Sequence, residues 1–137
     1  MSDNKNCRVR CRNMMYSQLL RYLPAGTIDQ LVKLLEKMEP KKYALIVHDS
    51  DVNVLGRPVD VHVHVMLSFE NARSINSIAK ALGDKPQFIE MWKGKVENGY
   101  AYLIHTTKYS INNHQYSPTD VIANFNYQEE MLRYKTQ

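Results

Sequence analysis

An α+β fold of the split βαβ kind is predicted by three features of the sequence. Residues 59–69, VDVHVHVMLSF, alternate apolar and polar side chains with the period of a β-strand. Two segments, TIDQLVKLLEKM and SINSIAKAL, repeat apolar residues at three- and four-residue steps, as amphipathic helices do. Put in order, the segments read strand, helix, strand, strand, helix, strand. That order builds an antiparallel sheet with helices packed on one face and the other face free for a site.

The first strand is expected from Cys7 to Met15, with Cys7, Val9 and Cys11 on one side and Arg8, Arg10 and Arg12 on the other. Cys7 and Cys11 then share a face as buried free thiols, since neither a CxxC pair nor further cysteines exist. Thr27 is the expected N-cap of the first helix, with Asp29 in its first turn and Ile28, Leu31, Leu34, Leu35 and Met38 as its buried stripe. KKYALIVHDSD reads as a largely buried strand ending at His48. The loop from Asp49 to Pro58 leads into 59–69, so these two strands are expected to be antiparallel neighbours. Val59, Val61, Val63, Val65, Leu67 and Phe69 should lie under the helices; His62 and His64 should lie on the open side. Asn71 or Ser74 can cap a second helix that ends at Gly83, QFIEMW supplies a fourth strand, and ENGYAYLIHTTK reads as a third helix despite Gly99.

At 137 residues and 16.0 kDa the chain fits one domain able to bury a core without staples. No apolar run approaches the ~20 residues of a membrane span, and the polar start MSDNKNCRVRC lacks a secretory core, so a cytoplasmic, membrane-free protein is expected. Eighteen Lys and Arg against fourteen Asp and Glu give +4 and a pI near 9.0, which favours an anionic partner.

Histidines two apart on one strand face stand ~6.6 Å apart, close enough to lean onto one ion. An antiparallel neighbour would bring His48, Asp49 and Asp51 beside His62 and His64. Imidazoles mixed with carboxylate suit Mn²⁺ or Zn²⁺, and keep Mg²⁺ in reach when phosphate oxygens complete the shell. Tyr102 and His105, three apart, fall on one side of the third helix, where Tyr102 is a candidate nucleophile. Periodicity alone also allows Tyr100 and Tyr102 to pack at the edge of the sheet. Arg8, Arg10 and Arg12 would meet DNA phosphates beside such a site, or form a solvated edge; Trp92, Lys93 and Lys95 would stack on a base and contact phosphate, or Trp92 would be core.

HVH with hydrophobic flanks, preceded by HDSD and followed by YAYLIH, resembles the HUH endonuclease domain of rolling-circle plasmid replication initiators, most of all the RepB-like streptococcal group. The resemblance spans about residues 7–125. It implies a five-stranded antiparallel sheet with the metal site on its open face and the fifth strand around His114 to Tyr116. It implies His48, Asp51, His62 and His64 as ligands of one divalent ion, Mn²⁺ or Mg²⁺, with Asp49 flanking. It also implies Tyr102 as the nucleophile, because a leucine and then, two positions later, a histidine follow it; Tyr100 is the reserve and His105 an accessory group.

The implied partner is single-stranded or cruciform origin DNA, held through a covalent 5′-phosphotyrosine link. Initiators of this group continue into an oligomerisation region, so residues 1–137 read as a monomeric catalytic and origin-binding domain or as a naturally short protein. The sequence has two rival readings: a single-tyrosine transposase of a small insertion sequence and a non-catalytic nucleic-acid-binding domain. The 38 positions from His64 to Tyr102 argue against the first, and the second leaves the histidines unexplained.

Overall fold

The computed structural model describes residues 9–107 and 113–135. Five strands, β1 (Arg10–Leu19), β2 (Lys42–His48), β3 (His62–Ser74), β4 (Ile89–Met91) and β5 (Ile122–Ala123), form one antiparallel sheet in the order β4-β1-β3-β2-β5. The helices are α1 (Ile28–Lys37), α2 (Ile75–Leu82), α3 (Val96–Tyr102) and α4 (Tyr127–Lys135). The expected α+β class and five-stranded sheet are therefore present. Among the described residues no helix is long and apolar enough to cross a membrane.

Local chemistry fixes the first two helices. The Thr27 hydroxyl accepts from Gln30 N at 3.1 Å and caps α1. Ser74 does the same for α2 through Ser77 N at 3.0 Å; β3 runs through Asn71, which removes it as the alternative cap. Gly83 ends α2 with φ 72°, the left-handed turn that glycine adopts without a Cβ clash. The buried stripes Leu31 and Leu35 of α1 and Ile75, Ile78, Ala79 and Leu82 of α2 meet Met14, Tyr16, Val63, Val65, Leu67 and Phe69 of the sheet in one core. The Tyr16 hydroxyl and Gln18 Nε2 both donate to Asp84, pinning the end of α2 to β1.

Four expectations are corrected here. β1 continues to Leu19, and its register shifts between Cys11 and Asn13. That bulge changes the phase of alternation, so Cys11 and Met14, one odd and one even, contact the same core. β3 begins at His62, not Val59; Val59 and Val61 are 38% and 37% exposed because the ladder to β1 and β2 starts only at the pairs Leu19↔His62 and His48↔His62. The fifth strand is Ile122–Ala123, paired with Ala44 and Leu45, while Tyr116 lies in the preceding loop.

Finally, the second face of the sheet is open only at one end. Met15, Ala44, Ile46 and Met66 make most of it apolar, and α3, the turn after it and α4 cover it through Tyr100, Ala101, Leu103, Ile104, Tyr127 and Met131. Gly99 is explained by this contact: a Cβ there would sit 2.6 Å from Met66 Cε and 3.2 Å from Trp92 Cε2. The ~1 kcal/mol by which glycine disfavours a helix is offset by letting α3 lie against the sheet.

Candidate metal centre and tyrosine site

Register places the histidines. His48, the last residue of β2, pairs directly with His62, the first of β3, and His64 follows two residues on along the same face. Their ring centroids lie 5.1 Å (His48–His62), 4.6 Å (His48–His64) and 4.8 Å (His62–His64) apart. Asp51, just beyond β2, turns back so that its Oδ2 is 3.4 Å from both His48 Nδ1 and His62 Nε2.

Hydrogen bonds set which nitrogens carry lone pairs. His48 Nε2–H donates to Leu103 O at 2.7 Å, and His62 Nδ1–H donates to Asp60 O at 2.9 Å. His48 Nδ1 and His62 Nε2 are thereby left as acceptors, both facing a carboxylate oxygen. His48 Nδ1 is buried without a hydrogen-bond partner, which a polar atom in that position rarely is. His64 Nδ1 is held by the Ser17 hydroxyl at 2.8 Å. Burial pushes His48 down to about 4 and His64 down to about 3, so both are neutral, as metal ligands must be. The donor set of imidazole nitrogens and a carboxylate is of the kind that could hold a divalent ion. His48, His62 and His64 have ligand atoms within 4.8 Å of one another, as do His48, Asp51 and His105.

α3 carries the tyrosines to opposite ends of the second face. Tyr102, its last residue, is half-buried with its ring 5.7 Å from that of His64 and 5.4 Å from that of His105. Burial raises its pKa, and the charges of Asp51 and Glu90 add to the effect. Tyr100 is buried at the other end, its hydroxyl 2.8 Å from Ser68 Oγ, within the second core. The reserve nucleophile Tyr100 thus has its hydroxyl engaged by Ser68, away from the histidines.

His105 lies past the helix rather than on it, with φ 61°. His105 N donates to Tyr102 O and Thr106 N to Ala101 O, a helix end whose left-handed position is usually glycine. Its Nδ1–H donates to His114 O at 2.7 Å.

Tyr116 is the residue that sequence reasoning missed. Its ring stacks on His48, 4.5 Å between centroids and 9° between planes. Its hydroxyl donates to Asp51 Oδ1 at 2.8 Å and accepts from Ser50 N at 3.0 Å, so it fixes the carboxylate and its turn together. Only its aromatic character next to His114 hinted at this role. Asp49 is exposed, bonded to the neighbouring Ser50 hydroxyl, and outside both ligand groups.

The basic and aromatic candidates fall elsewhere. Arg8, like Cys7, lies outside the described residues. Arg10 pairs with Ser74 and donates to Ala72 O, and Arg12 is exposed next to the pair Asn13↔Ser68. That pair stands four residues, ~13 Å, from Ser17↔His64 along the strands, so the expectation that these arginines flank the histidines is corrected. Trp92 is half-buried against the second core, its Nε1–H on Lys95 O at 2.9 Å; Lys93 and Lys95 are exposed beside it.

The sequence matches a known family. Residues 7–128 match the family described as plasmid replication protein, origin binding domain. A curated relative, the "Replication protein" of Onion yellows phytoplasma (strain OY-M), is 26% identical over 106 residues, covering 69% of this chain and 28% of the relative. The chain thus spans just over a quarter of the length of that relative. With a match over most of its length, and a sheet bearing a histidine cluster at one end, the chain belongs to the origin-binding domain family of plasmid replication proteins.

Proposed function

We propose that this domain nicks single-stranded origin DNA through Tyr102. The phenolic oxygen attacks the scissile phosphorus, the P–O3′ bond breaks, and a 5′-phosphotyrosine link and a free 3′-OH result. That hydroxyl can prime a polymerase. The phosphodiester energy stays in the covalent link, so a later transesterification can rejoin the strand.

One observation carries the reading: the Tyr102 ring stands at the same end of the sheet as three histidines and the Asp51 carboxylate, with His48 Nδ1 buried, without a hydrogen bond and 3.4 Å from Asp51 Oδ2. His48, His62, His64 and Asp51 would hold a divalent ion, Mn²⁺ or Mg²⁺. Such an ion supplies Lewis-acid withdrawal of charge from a phosphate oxygen. The chain's own groups do the rest. Tyr116 holds Asp51 in place, and Ser17 orients His64. Tyr102 is a neutral phenol and must lose its proton on attack; His105, whose Nδ1–H is engaged with His114 O, keeps a lone pair on Nε2 to receive it. Origin DNA is the partner, and the link to it is transient.

The test is to incubate the chain with single-stranded oligonucleotides tiling its plasmid origin and Mn²⁺, then resolve the products under denaturing conditions. A denaturant-resistant adduct is expected from the wild type and none from Tyr102→Phe. Equal adduct from both assigns the nucleophile elsewhere; no adduct from either reduces the domain to a binding module.

A further inference from the structure

The segment joining β2 to β3 is an ordered hairpin. Val59 N donates to Asp51 O at 3.0 Å, Val52 opposes Pro58, and Asn53 N donates to Arg57 O at 2.9 Å. Asn53 Oδ1 then accepts from the amides of Leu55 and Arg57, at 2.9 and 3.1 Å, and Gly56 closes the turn with φ 76°. Rigid as it is, the hairpin buries little of its aliphatic surface: Val52, Val54 and Leu55 are 59%, 102% and 72% exposed. Aliphatic groups held in order yet left in water are unusual unless something covers them.

The place of these side chains narrows what that is. Val52, Val54 and Val59 line a cavity of about 350 Å³ that Asp51, Tyr102, His105, Asn113 and His114 also line. His114 is itself held in place: His114 O accepts from His105 Nδ1, and the His114 ring lies 4.6 Å from that of Tyr116. Among the described residues no lysine or arginine lines the cavity, and the Asp51 carboxylate repels phosphate. An uncharged, flat, partly apolar group suits it. A DNA strand with its phosphate at Tyr102 carries such a group one sugar away.

We propose that the 51–59 hairpin is a base-holding wall, against which an unpaired nucleobase flanking the scissile phosphate lies, touching Val52, Val54 and Val59 together with Asn113 and His114. The proposal rests on the nicking reading, because Tyr102 fixes where the phosphate lies. Aliphatic contact takes any base, so the wall adds affinity for unpaired DNA without reading sequence. The hairpin is rooted at Asp51, which ties the position of the base to that of the candidate ligand carboxylate.

Binding is measured by fluorescence anisotropy in EDTA, where cleavage does not interfere, with two probes of equal phosphate number: a twelve-residue oligothymidylate and a twelve-residue abasic oligomer. Wild type is expected to prefer the oligothymidylate. The double variant Val52→Ser/Val54→Ser should weaken oligothymidylate binding about five- to tenfold and leave abasic binding unchanged, whereas Val54→Phe, which offers a stacking ring, should tighten oligothymidylate binding. The wall is refuted if the double variant matches wild type on oligothymidylate, if it loses equally on both probes, or if wild type shows no preference for bases. Adduct formation by Tyr102 is scored separately: an intact adduct with no base preference removes the wall alone, while a base preference with no adduct removes the nicking reading alone.

Discussion

Tyr100 and Tyr102 leave the same helix two residues apart and meet opposite environments. Tyr100 points to the closed end of the second face, where its hydroxyl meets Ser68 and its ring packs edge-on to Phe125 at 5.3 Å. Tyr102 points to the end where β2 stops and β3 starts, beside His64 and His105. Sequence pattern treats the two alike. What separates them is that Met15, Ala44, Ile46 and Met66 draw α3 and α4 down over one end, whereas the histidines and Asp51 leave the other unsealed. The same helix thus supplies a core tyrosine and a candidate nucleophile.

The contrast can be broken most strongly at Tyr102. Removing its hydroxyl in Tyr102→Phe is expected to lower adduct formation with origin DNA at least about 10³-fold while leaving thermal unfolding nearly unchanged, because that hydroxyl is not part of the core. Next in size, His62→Ala should weaken Mn²⁺ binding at least about 100-fold by calorimetry, beyond the range usual for outer partners of a metal. Tyr116→Phe probes such a partner. It removes the hold on Asp51 Oδ1 and should weaken Mn²⁺ about tenfold, with the DNA affinity measured in EDTA unaffected.

Acid sharpens the contrast in another way. His48 and His64 titrate below their ordinary 6.5 when folded, so below that pH the unfolded chain binds more protons than the folded one. Their contribution to stability is full above about 6.5 and is lost as pH falls toward 4 and then 3. Urea unfolding in EDTA should therefore show a shallower loss between pH 6.5 and 4 for His64→Gln than for wild type. The smallest effect belongs to the closed end. Tyr100→Phe should keep the adduct at wild-type yield and lose ~1 kcal/mol of stability, since it leaves the buried Ser68 hydroxyl without that partner.

The first two helices, the βαβ order and the antiparallel approach of His48 to His62 and His64 are legible because each rests on local periodicity and on short connections, whereas α3 stops at Tyr102 short of the expected segment and α4 has no counterpart in the sequence reading. Alternation failed where the chain departs from regular geometry. The bulge between Cys11 and Asn13 shifts the phase of β1, and the antiparallel register sets Arg10 opposite Ser74, so the arginines lie toward the end of β3 away from His62 and His64. Val59 and Val61 continue the strand pattern in sequence, but no ladder reaches them. Met66 was the sign that the histidine face does not stay polar, and it marks where the second core begins. Tyr116 was invisible for a different reason: its contacts to His48, Ser50 and Asp51 span more than 60 residues, and no local pattern encodes them.

Tyr102, set beside a cluster of His48, His62, His64 and Asp51, is proposed as the covalent link to DNA. The most direct measurement is to digest the adduct formed with origin DNA and Mn²⁺ and locate the attached nucleotide by mass spectrometry. A phosphodiester-linked nucleotide is expected on the peptide bearing Tyr102, and none when EDTA replaces Mn²⁺. A nucleotide mapped to Tyr100 or Tyr116, or an adduct that forms equally in EDTA, would contradict it.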